Sequence, residues 1–176
     1  MKNNFIISLC HRICVKIRMV FDFVYSSLQF KYENVSYHML PQVRGTMSLS
    51  NQGKFRIGDS VIFNNNFYSN PIGIRQCTIF IAPGATLEIG DHSGFSGVAI
   101  YCAEHISIGK HLFCGGNVNI WDTDFHPMDH LARRQGDNAT VKSRPIIIGN
   151  DVFIGAYSTI LKGVKIGDRS IIGANS

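Results

Sequence analysis

The chain has 176 residues, 45% hydrophobic and 16% charged, which suits one domain with a real core and excludes a disordered or low-complexity protein. Its formal charge of +5 is unevenly spread: residues 1–56 hold eight Lys/Arg against Asp22 and Glu33, and the remainder holds nine basic and ten acidic side chains. Basicity confined to one third argues against a nucleic-acid footprint over the whole protein and for a local acidic partner at most.

In chain order, the first predicted element is a helix over residues 1–30. Within FIISLCHRICVKIRMVFDFVYSSLQF, Leu9, Ile13, Ile17, Val20, Val24 and Leu28 recur at steps of four, four, three, four and four. That spacing predicts an amphipathic helix with a basic opposite face. Arg12, Lys16, Arg18 and Asp22 interrupt the run, so it is not a comfortable bilayer span. Its uninterrupted apolar stretch is short for a secretory leader, and no small-residue cleavage site follows. Two placements stay open: over the end or side of the main domain, or on an anionic membrane surface through residues 5–28. The second implies a peripheral position at the inner face of the plasma membrane. The five cysteines at 10, 14, 77, 102 and 114 are odd in number and form no C-x-x-C pair, which points to a reducing, cytoplasmic setting. Cys10 and Cys14, four apart, are expected to pack as small hydrophobes.

Residues 31–56 read as a lead-in, and residues 57–176 as the main body. Ile148, Ile154, Ile160, Ile166 and Ile172 fall at a strict spacing of six. A helix repeats near 3.6 and a strand at 2, so a period of six belongs to a larger unit. Strand-like segments joined by corners supply it, with three segments to a coil, as in parallel β-helices. Gly149, Gly155, Gly167 and Gly173 each follow one of these isoleucines, where a small residue relieves crowding and permits unusual backbone angles. Asn150, Asp151 and Asp168 suit corners. Ile57-Gly58-Asp59, Ile89-Gly90-Asp91 and Ile108-Gly109-Lys110 repeat the unit earlier, with a step of nineteen between Ile89 and Ile108. Stacked aliphatic side chains are expected to fill the interior and leave no room there for a ligand.

From 123 to 145 no period of six survives. A patternless stretch of this length between regular coils is more often functional than idle. His126 stands at its head, before Pro127, and proline restricts the residue that precedes it to an extended conformation. A neutral imidazole, with an ordinary pKa of about 6.5, is suited to take a proton from an attacking alcohol. Asp122 and Asp124 flank it, either to orient the ring, to bind acceptor hydroxyls, or merely as solvated carboxylates. Trp121 offers a face for a sugar ring, or else packs inside the coil.

The run from I108-G-K-H through W121-D-T-D-F-H-P to I148-G-N-D-V-F-I-G-A resembles the hexapeptide-repeat O-acetyltransferases, both the maltose/galactoside acetyltransferase-like group and polysaccharide-modifying acetyltransferases. The resemblance covers roughly residues 57–176. It implies an all-β fold, a left-handed parallel β-helix with one extruded loop at 123–145. It also implies a homotrimer with active sites between neighbouring subunits, acetyl-CoA as co-substrate and a saccharide hydroxyl as acceptor, without a metal. His126 then matches the catalytic histidine. Phe153 matches the aromatic that lines the cofactor cleft, Ala156 and Ala174 match positions whose backbone meets the pantetheine arm, and Lys162 and Lys165 are candidate partners for CoA phosphates. Family members generally continue past the I-G-A-x-S unit, whereas this sequence reaches Ser176. The family's acceptor-binding asparagine has no clear counterpart in G94-F-S-G-V-A-I-Y-C, so no particular sugar is implied. Two other readings compete. One is a zinc carbonic anhydrase of the β-helix class, drawing on His92, His105, His111, His126 and His130. The other is a non-catalytic scaffold.

Overall fold

In a computed structural model, residues 2–72 and 75–176 are described, with the side chains of 2–7, 10 and 11 outside the description. A long helix, α1 (Lys2–Tyr32), leads into strands that wind in groups of three. The first coil is β1 (Ser36–Tyr37), β2 (Gln42–Arg44) and β3 (Ser48–Asn51). The second is β4 (Lys54–Ile57), β5 (Ile62–Asn64) and β6 (Thr78–Ile81), and the third β7 (Thr86–Ile89), β8 (Gly94–Ser96) and β9 (Ala99–Cys102). Next come β10 (His105–Ile108), β11 (Phe113–Gly116) and β12 (Asn119–Trp121). A non-strand segment with a short helix α2 (His130–Gln135) intervenes before β13 (Ile146–Ile148), β14 (Phe153–Ile154) and β15 (Thr159–Leu161). The last strands are β16 (Lys165–Ile166) and β17 (Ile171–Ile172).

Every third strand stacks on the one before it. The result is three sheets, ordered β1-β4-β7-β10-β13-β16, β2-β5-β8-β11-β14-β17 and β3-β6-β9-β12-β15. All of their strand pairs are parallel. This is a parallel β-helix, as the period of six implied. The register superimposes the repeating isoleucines: Ile148 pairs with Ile166, Ile154 with Ile172, and Ile120 with Ile160. The nineteen-residue step is absorbed with Ile89 and Ile108 still opposite one another.

The interior is a dry column. Ile79, Ile81, Leu87, Ile100, Ile106, Ile120 and Ile146 are buried, and Phe55, Phe63 and Phe95 fill the interior of the second and third coils beside them. Phe63 and Phe95 stack with ring centroids 5.3 Å apart. Burial of each large apolar side chain contributes about 1.5–3 kcal/mol, so the column dominates the stability of the coil.

Three expectations change. The lead-in of 31–56 already carries four coil strands, with Val43, Leu49 and Phe55 pointing inward. Gly149 and Gly155 are needed for close approach rather than for unusual dihedrals, whereas a Cβ at Gly167 or Gly173 would make only ordinary contacts. A Cβ on Gly149 would stand 2.7 Å from the backbone nitrogen of Asp168, and one on Gly155 would stand 2.8 Å from Cα of Ala174. Positive φ is instead taken by corner residues that carry side chains, among them Ser60 (58°), His92 (59°), His111 (57°), Asp151 (56°) and Arg169 (59°). Cys14 is exposed rather than packed, and the side chain of Cys10 lies outside the described residues.

The helix differs from the amphipathic expectation as well. Its C-terminal third caps the base of the coil through buried Asp22, Ser26 and Phe30. Elsewhere along it, apolar side chains are exposed on every side, including Val15, Met19 and Phe23, which lie away from the predicted stripe.

Candidate active site

β12 ends at Trp121, and β13, the first strand of the next coil, is not reached until Ile146. Asp122 closes the gap. It continues the strand alternation, so its side chain turns inward and is fully buried. Its Oδ1 accepts from the backbone N–H of Ala103 at 2.6 Å, and its Oδ2 from those of Glu104 and His105, both at 2.8 Å. Asp122 was expected to flank the site as a substrate-binding residue. That reading is corrected, because a buried carboxylate already holding three N–H donors has no face left for an acceptor. Its backbone carbonyl also accepts from Arg144 N at 2.9 Å, and Asp124 N donates to Lys142 O at 3.1 Å. With the antiparallel bridge Thr123↔Ser143, these bonds tie the two ends of the segment together.

His126 follows a tight turn. Phe125 has φ +61°, and the N–H of His126 donates to Asp124 O at 2.7 Å, closing a three-residue ring. A bulky residue at positive φ costs of order 1–3 kcal/mol and persists only where its surroundings hold it. Here the holder is an aromatic file on the outer face of the third sheet. Phe80 and Tyr101 stack at 4.8 Å, and the Phe125 ring stands edge-on to Tyr101 at 4.7 Å and to Trp121 at 5.8 Å. Trp121 is therefore half-buried on the outside of the coil, not within it. Beyond the turn, Pro127 is buried and its carbonyl accepts from Arg133 Nη1 at 2.7 Å. Asp129 caps α2 by accepting from the N–H groups of Leu131 (3.0 Å) and Ala132 (2.8 Å). His126 itself is exposed, and its ring hydrogen-bonds to no described residue.

Asp124 makes the remaining link. Its Oδ1 lies 3.2 Å from Lys162 Nζ, with side chains 15% and 26% exposed. Lys162, expected at a CoA phosphate, is thus engaged by a carboxylate of the segment. Lys165 points outward on the first sheet. The other expected cofactor residues lie elsewhere in the chain. Phe153 is 47% exposed on the second sheet, in register with Phe113 and Ile171, and Ala156 and Ala174 sit one above the other at its far corner. No described contact joins them to His126. The five histidines weighed for zinc are scattered: His92 stacks on His111 at one corner, His105 is on β10, and His126 and His130 lie apart in the segment. Among the described residues, no three His, Cys or carboxylate side chains converge as a metal site.

Phe125 and the Asp124–Lys162 pair are positioning features that the sequence reading passed over. A signal for the first was present, since Phe80, Tyr101 and Trp121 place an aromatic at one outward position in three successive coils.

Comparison with known proteins agrees with this geometry. The bacterial transferase hexapeptide family (six repeats) matches residues 145–176. The galactoside O-acetyltransferase of Escherichia coli (strain K12) is 35% identical over 100 residues, covering 56% of this chain and 47% of that protein. The chain is similar to the hexapeptide-repeat O-acetyltransferases. A second relative of that kind, the galactoside O-acetyltransferase of Lactococcus lactis subsp. lactis (strain IL1403), is 32% identical over 105 residues, 55% of this chain and 49% of its own. The putative lipopolysaccharide biosynthesis O-acetyl transferase WbbJ of Escherichia coli (strain K12) is 28% identical over 127 residues, 66% of this chain and 61% of its own. The chain spans about half the length of the galactoside O-acetyltransferases it matches.

Proposed function

We propose that the protein transfers an acetyl group from acetyl-CoA to a saccharide hydroxyl, with His126 as general base. The observation that carries this reading is the exposed imidazole of His126, presented by a strained and well-held turn on a chain similar to O-acetyltransferases. In the step itself, the acceptor hydroxyl attacks the thioester carbonyl while its proton passes to the neutral imidazole. The tetrahedral intermediate collapses as the C–S bond breaks, and the imidazolium returns its proton to the leaving thiolate. CoA would meet Phe153, Ala156 and Ala174. Because these lie on another face from His126, the reading includes a homotrimer in which one subunit supplies the imidazole and its neighbour the cofactor surface. The coil is taken to wind left-handed, with 123–145 as an extruded active-site loop. The likeness to a putative lipopolysaccharide biosynthesis protein supports an acceptor in cell-surface polysaccharide biosynthesis.

Mass-spectrometric screening of acetyl-CoA against a panel of saccharides tests the reaction. With an acceptor in hand, His126→Ala should lower kcat by at least about 10², the scale of a lost general base, with KM for acetyl-CoA nearly unchanged. Near-normal turnover in that variant would overturn the mechanism.

A further inference from the structure

Among the described residues, the hydrogen bonds that tie α1 to the coil lie in its C-terminal third. Asp22 Oδ2 accepts from Gly45 N at 2.7 Å, Gln29 Nε2 donates to Met47 O at 3.1 Å, and Phe30 is fully buried. Around and before this anchor, Ile17 (64% exposed), Val20 (64%), Phe21 (59%) and Phe23 (62%) stay largely exposed. At 100° per residue these four, with Val15, Met19 and Tyr25, occupy the whole circumference. A helix apolar all round belongs in an apolar surrounding, and the coil offers one to a single side only, leaving Ile17, Val20 and Phe21 exposed. Charge says which surrounding. Arg12, Lys16 and Arg18 are exposed among the apolar side chains, and the only carboxylate of the helix, Asp22, is buried against Gly45. A cavity of about 920 Å³ beside the helix repeats the pairing, with Val15, Met19, Phe23 and Leu40 on its walls and Arg18 and Arg44 at hand.

We propose that α1 docks the protein on an anionic lipid bilayer. It lies in the interface with its apolar side chains in the acyl region, and Arg12, Lys16 and Arg18 reach back to lipid phosphates. No described helix is long and apolar enough to cross a membrane, consistent with an interfacial position. A second copy of the helix serves less well. A two-helix seam covers a single stripe and leaves the other sides wet, and it would gather Arg12, Lys16 and Arg18 of both copies with no exposed carboxylate on either helix to meet them. This inference stands apart from the acyl-transfer reading.

Co-sedimentation of the full chain with vesicles tests it, comparing phosphatidylcholine alone with phosphatidylcholine containing phosphatidylglycerol. Binding to the mixed vesicles is expected, weak binding to the neutral ones, and release as salt is raised. Arg12→Gln/Lys16→Gln/Arg18→Gln should weaken partition about a hundredfold, since each cation near such a surface contributes about fivefold. Val20→Ser/Phe21→Ser/Val24→Ser should release the protein even at low salt. Far-UV circular dichroism checks that each variant is folded, and the salt titration of the unmodified chain reads the same electrostatics without any variant. Failure to bind mixed vesicles, or binding indifferent to both salt and the three cations, overturns the proposal. So does a salt-resistant assembly that the apolar substitutions dissolve and that never sediments with lipid, which would make the occupant a second copy.

Discussion

Lys162 Nζ stands 3.2 Å from Asp124 Oδ1, and so joins the corner after β15 to the residue two before His126. Both side chains are largely buried, so the pair is less screened than a surface bridge. If its role is to fix the turn, removing either partner should have the same effect. Asp124→Asn, Lys162→Met and the double variant should each lower kcat about tenfold, which is a coupling energy of about 1.4 kcal/mol. Steady-state kinetics decide the point. A rise in KM for acetyl-CoA that Lys162→Met produces equally with and without Asp124 would instead put Lys162 on a CoA phosphate.

Phe125 provides a separate test of the turn. Phe125→Ala removes the ring from between Tyr101 and Trp121 but keeps a Cβ at φ +61°. Phe125→Gly removes the same ring and relieves the backbone. The glycine variant should be the more stable of the two by about 1 kcal/mol, by thermal melting, because the left-handed region disfavours a Cβ by about that much. Both should lose activity, since neither can pin His126. Equal stability in the two variants would mean that the turn relaxes once the ring is gone.

Asp122→Ala leaves the N–H groups of Ala103, Glu104 and His105 without their carboxylate. These donors are only partly buried, so each contributes less than the full cost of a buried orphan, and urea unfolding should show a loss of about 2–3 kcal/mol. Because the carboxylate is buried, whatever fraction stays folded should bind acceptor with an unchanged KM. A selective rise in that KM would return Asp122 to the substrate.

How far the molecule was legible follows from what periodicity can carry. Ile148 to Ile172 announced the coil because each inward position holds the same residue type at a fixed step. Between 31 and 56 the inward positions hold Val35, Val43, Met47, Leu49 and Phe55, whose mixed sizes and uneven steps hide the same coil. Residues 65–77, which separate β5 from β6, obscured the second coil further. At the site, Pro127 made His126 stand out, because proline acts on its neighbour through local sterics. The Asp124–Lys162 pair did not stand out, since the two residues meet only after another coil has been wound. Asp122 was readable in principle: Ile120 points in and Trp121 out, so Asp122 points in again.

The buried thiols give a test that depends on the fold alone. Burial pushes Cys102 up to about 12 from an ordinary 9.0, with the nearby Asp122 carboxylate adding to it, and pushes Cys77 up to about 12. Burial raises Cys114 as well. Below pH 9 the folded and unfolded chains both keep these protons. Above it the unfolded chain sheds protons that the folded chain retains, so stability contributed by the neutral thiols is lost progressively from about pH 9 to about pH 12. The reactive form is the thiolate, so these three should resist a disulfide reagent in the native state at pH 8 while exposed Cys14 reacts at once. In a Cys10→Ser/Cys14→Ser background the native protein should therefore show no fast thiol, and Cys77, Cys102 and Cys114 should all appear on adding denaturant. A fast-reacting thiol in that folded background would mean that the coil opens around one of these positions.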